Sequence, residues 1–85
     1  MQVKLVIFPA ENGLNVVIWG KWTKGTMRVR EFENRTEMIA MLRTLRLIHP
    51  AEGEALENFV FTDSCPLFSA EVDEDSLAAH GFESA

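Results

Sequence analysis

Residue types able to carry nucleophilic or metal chemistry are scarce in this chain: one cysteine, Cys65, and two histidines, His49 and His80. A nucleophilic thiol needs a base within hydrogen-bond reach and donors for the charge that develops. No spacing ties Cys65, in Asp63-Ser64-Cys65-Pro66, to either histidine. The thiol is expected to be an inert small hydrophobe under a loop. Asp63, Cys65, His49 and His80 are suitable metal ligands by type, yet no C-x-x-C or H-x-x-x-H pair supplies two ligands from one element. Asp73-Glu74-Asp75 looks like the start of a calcium loop, but position 6 would be Ala78 and position 12 Ser84, where such a loop needs Gly and Glu. Helix capping by Asp73 explains the run better. The glycines are scattered and form no phosphate loop. No catalytic residue, metal or cofactor is expected.

The constellation with binding character is Trp19 among Lys4, Lys21, Arg28 and Arg30. An aromatic ring among cations on an antiparallel sheet is how single-strand nucleic-acid modules stack bases. A structural cation–π pair between Trp19 and Arg30 is the plainer alternative.

These side chains must be positioned by strands. Val3–Phe8 is rich in β-branched and aromatic residues and stops at Pro9. Asn12-Gly13 signals a two-residue turn, Leu14–Thr23 a second strand, Lys24-Gly25 another tight turn and Thr26–Glu33 a third strand. A helix capped by Asn34 follows, its apolar stripe formed by Met38, Met41, Leu42, Leu45 and Ile48 with Ile39 on the shoulder. Pro50 ends it and opens a short second helix through Leu56. Asn58–Thr62 is expected to be a further strand, Asp63–Val72 a loop anchored by Leu67 and Phe68, and Glu74–His80 a last helix stopped by Gly81. The expected fold is one α+β domain over residues 1–85: an antiparallel β-β-β meander, an amphipathic helix, a strand near 58–62 and a short C-terminal helix.

Tight turns would fix the register and sort the sheet into two faces. The first, collecting Val3, Leu5, Ile7, Ile18, Gly20, Trp22, Met27 and Val29, is the one the helix should cover. Rows of the second are expected to run Lys4–Lys21–Arg28, Val6–Trp19–Arg30 and Phe8–Val17–Phe32. Its apolar side chains call for a cover, because a solvated face would be polar throughout. A second subunit and the acidic C-terminal segment are the two candidates.

Charge supports either. Residues 1–50 carry all eight Lys and Arg against four Glu, and residues 51–85 carry nine acids and no Lys or Arg, for a net charge of −5. Opposite charges are expected to meet within one molecule or between two. An acidic chain is a poor generic nucleic-acid binder. The apolar run after Lys4 spans four residues, too short for a signal-peptide core or a membrane span, and a lone cysteine suits a reducing compartment. The expectation is a cytoplasmic, non-catalytic interaction or regulatory domain, homodimeric through the second face: Val6, Phe8, Val17, Trp19 and Phe32 with Lys4, Lys21, Arg28 and Arg30. Polyanion binding on that face is the first alternative. A small enzyme using Cys65 or a histidine is the second.

Overall fold

The structure, a computed structural model, describes residues 1–61 and 65–84. Strands β1 (Gln2–Ala10), β2 (Gly13–Trp19) and β3 (Met27–Phe32) form the meander. Helices α1 (Arg35–Thr44) and α2 (Pro50–Glu57) follow, then β4 (Leu67–Glu71), helix α3 (Glu74–Ala79) and the short β5 (Glu83–Ser84). All strands pair antiparallel in one sheet, ordered β4-β1-β2-β3-β5. The α+β class, the meander and the short C-terminal helix agree with the sequence.

The further strand is displaced. Residues 58–61 are irregular, and Thr62 lies outside the described residues. Both flanks of the meander are already taken, by β4 on β1 and β5 on β3. Phe59 and Phe61 pack against the margin of the core instead, their rings edge to face with centroids 4.9 Å apart. The added strand is drawn from the stretch expected to be a loop. Its Phe68 and Ala70 turn toward the core while Leu67, Ser69 and Glu71 turn away, the alternation a half-covered strand requires.

Register treats the two hairpins differently. Ala10 pairs with Gly13, so Glu11 and Asn12 form the first turn, one residue earlier than expected. The pairing therefore shifts by two, which leaves every side chain on its expected face. Neither turn residue has a positive φ. Gly13 is required for another reason: a Cβ there would lie 1.9 Å from the Phe32 carbonyl oxygen.

In the second hairpin the shift is odd, and the faces exchange. β2 ends at Trp19, and residues 20–26 form the connection, spanned by the Gly20 N–H donating to the Thr26 carbonyl at 3.2 Å. Trp22 turns into the core, its indole N–H donating to the Ile18 carbonyl at 3.2 Å. Seating that ring takes the chain out of the ladder, so no tight Lys24-Gly25 hairpin forms. Val16 then meets Arg30, and Val17 meets Val29. Arg28, Arg30 and Phe32 therefore lie on the helix-covered face, while Met27 and Val29 lie on the other, the reverse of the sequence expectation.

The helices close the first face. Asn34 caps α1, its Oδ1 accepting the Glu37 N–H at 2.8 Å. Met38, Ile39 and Leu42 of α1, Leu56 of α2, Leu77 of α3 and Phe82 join Val3, Leu5, Ile7, Val16 and Ile18 in one core. Arg35 ties α2 down by donating to the carbonyls of Leu56 and Glu57 at 3.2 and 2.9 Å. Gly53 lets α1 approach: a Cβ there would lie 2.5 Å from the Arg43 Nε.

Candidate functional site

The residues with binding character lie on the sheet face opposite that core. Pairing places Ser69, Lys4, Trp19 and Met27 in one row across β4, β1, β2 and β3. The next row reads Leu67, Val6, Val17 and Val29, ending at Glu83 on β5. Phe8, Asn15 and Glu31 make a third. The middle row is thus apolar across four consecutive strands. The buried apolar side chains of α1, α2 and α3 all join the opposite core, so among the described residues no helix packs over this face. Leu67 is 60% and Trp19 44% exposed, while Val17, in the middle, is already shielded by its neighbours.

At one end the face opens into a groove of about 330 Å³ lined by Gln2, Val3, Lys4, Trp19, Gly20 and Ser69. Gly20 in this groove is closely packed. The neighbours that crowd it are Val3 and Trp22: a Cβ would lie 3.0 Å from Val3 Cγ1 and 3.2 Å from the Trp22 ring.

Of the nine side chains singled out in the sequence, Lys4, Val6, Phe8, Val17 and Trp19 share this face. Lys21 is exposed in the connection just after β2. Phe32 is buried in the core at 2% exposure. Arg28 and Arg30 stack on core-side rings, 5.5 Å from the Trp22 centroid and 4.4 Å from that of Phe32. The expected Lys4–Lys21–Arg28 row does not form, since Lys4 pairs with Trp19 and Arg28 with Ile18, and the Trp19–Arg30 pair is replaced by these two contacts. Leu67, Met27 and Val29 complete the face and were not anticipated. The alternation from Phe68 to Val72 was the available signal for β4. For Met27 and Val29 the sequence held none without the register.

The acidic C-terminal segment folds back onto the cations, but over the helix-covered face. Arg28 donates to the Phe82 carbonyl at 2.8 Å and lies 3.5 Å from Glu74, and Arg30 donates to the His80 carbonyl at 2.7 Å. Two hydrogen bonds from Thr23, and then the charge of Arg28, hold the Glu74 carboxyl below its ordinary range. Asp73 stands at the N-cap of α3 without a side-chain capping bond. Arg28 Nε is buried without a partner among the described residues.

Cys65 is free and exposed, not tucked under a loop. His80 uses its Nδ1–H to donate to the Ser76 carbonyl at 2.7 Å, and the His49 N–H donates to Glu52 at 2.7 Å. Asp63 lies outside the described residues. Among the described residues, no group of three or more His, Cys, Asp and Glu side chains is arranged to hold a metal ion, and no helix is long and apolar enough to cross a membrane. Comparison with protein-family models, with curated proteins and with solved structures finds no match.

Proposed function

We propose that this chain is a non-catalytic interaction domain whose open sheet face takes up a second copy of itself. The observation carrying this reading is the Leu67–Val6–Val17–Val29 row, apolar across four strands and without a helix over it among the described residues. Antiparallel sheets tolerate one wet face, but that face is then polar. Here its middle is aliphatic and its Trp19 stands 44% exposed, the composition of an interface centre with an aromatic anchor. The charged groups Lys4, Glu31 and Glu83 sit toward its margins. Polyanion binding, the main alternative, now rests on Lys4 and Lys21, since Arg28 and Arg30 are engaged on the other face. A cytoplasmic setting belongs to the same proposal and is supported by the free, exposed Cys65.

Sedimentation equilibrium of the wild type and of Trp19→Ala tests the reading. A doubled mass for the wild type, and a dimer weakened in the variant, is expected. A monomeric wild type that binds an anionic resin in a salt-sensitive way would favour the polyanion alternative.

A further inference from the structure

We infer that the two copies meet about a two-fold axis running parallel to the strands and passing between β1 and β2, so that each Lys4 lies over the partner's Trp19. This rests on the homodimer reading and specifies its geometry. Face-to-face sheets pack with their strands roughly aligned, which leaves two simple two-fold axes, along the strands or across them. The apolar row spans β4, β1, β2 and β3, so its midpoint falls between Val6 and Val17. Either axis lays this row on itself, and the flanking charges distinguish the two.

An axis along the strands reverses strand order. Val6 then covers Val17, and Leu67 covers Val29. In the neighbouring row Lys4 and Trp19 are equidistant from the axis, so the ammonium of each copy meets the indole face of the other, giving two reciprocal cation–π contacts per dimer. Glu31 lies on β3, one and a half strand spacings from the axis, and is therefore about 14 Å laterally from its own copy. Glu83, farther out on β5, falls at the solvated rim. An axis across the strands does the reverse. It stacks Glu83 on Glu83 and covers Lys4 with Phe8 and Glu31 with Met27. Like charges would face each other, and the Lys4 and Glu31 charges would be buried against apolar side chains without partners.

Cross-linking separates these arrangements in the full-length chain carrying Cys65→Ser, which removes the native thiol. Leu67→Cys and Val29→Cys are made singly, and a bis-maleimide too short to cross the width of the sheet is applied. Sedimentation is recorded for every sample. Cross-linked dimer confined to the mixture of the two variants is expected, because β4 of one copy lies over β3 of the other. Cross-linking within each variant alone would overturn the axis while leaving dimerisation through this face in place. A dimeric mass with no cross-linking in any sample would place the interface elsewhere, and a monomeric mass would remove the homodimer itself. Either result overturns both.

Discussion

The Glu74 carboxylate accepts the Thr23 backbone N–H at 2.8 Å and the Thr23 hydroxyl at 2.9 Å. One side chain thereby joins the first turn of α3 to the 20–26 connection, 51 residues earlier in the chain. With Arg28 alongside, these contacts favour the ionised carboxyl and lower its pKa in the folded protein. The sign of the pH dependence follows. An acid with a lowered folded-state pKa contributes stability above its ordinary value, near 4.5, and loses that contribution as pH falls through the folded value. Urea midpoints should decline as pH drops below about 4.5. Glu74→Gln should decline less over the same window. Parallel wild-type and variant curves would mean that the Thr23 contacts do not persist in solution.

A second expectation comes from how two helices end. After α3, the Phe82 N–H donates to the Leu77 carbonyl and the Gly81 N–H to that of Ala78, with Gly81 at φ +82°. After α1, Leu47 and Arg46 make the corresponding bonds to Leu42 and Arg43, but the left-handed residue is Arg46, at φ 57°. A side chain in that conformation costs about 1–2 kcal/mol, and glycine avoids it. Arg46→Gly should therefore stabilise the fold by about 1 kcal/mol. A lower denaturation midpoint for that variant would show that the Arg46 side chain makes a contact worth more than the strain.

Within the core, Leu42 is fully buried in the middle of the α1 stripe. Leu42→Ala should cost about 2–5 kcal/mol, the usual range for a buried leucine. Asn34→Ala removes one cap and should cost about 1 kcal/mol. Equal effects at the two positions, read from urea unfolding, would contradict the burial pattern.

These helix features were legible because each depends on neighbours in sequence: the Asn34 cap, the apolar period and Pro50 at the start of α2. The end of α1 was not, since that helix stops at Thr44, with Arg46 left-handed, and not at Pro50 as expected. The faces of β1 and β2 were legible for a weaker reason. A two-residue misplacement in an alternating strand leaves the faces unchanged. β3 had no such protection. Its face depends on whether the connection before it absorbs an even or odd number of residues, and burial of Trp22 makes it odd. That tertiary event is invisible to local pattern, and it carried Arg28, Arg30 and Phe32 to the core side. The strand expected at 58–62 fails similarly, because whether an apolar run pairs depends on which sheet edges are free.

If the open face is the proposed dimer interface, Trp19→Ala should weaken association by about 2 kcal/mol or more, roughly thirtyfold in Kd. The isolated subunit should remain folded, since Trp19 is 44% exposed and lies outside the core. Lys4→Gln would remove both proposed cation–π contacts, each about 0.5–2 kcal/mol, and should weaken association by about 1–4 kcal/mol. Analytical ultracentrifugation over a dilution series, with circular dichroism as the folding control, checks both.

The open face is tested most directly by acrylamide quenching of tryptophan emission as the protein is diluted. The chain has two tryptophans, and Trp22, at 7% exposure, serves as a shielded internal reference beside Trp19. A readily quenched component is expected in dilute solution, disappearing as concentration rises through the range in which the mass doubles. A doubled mass with Trp19 still open to acrylamide would contradict assembly through this face.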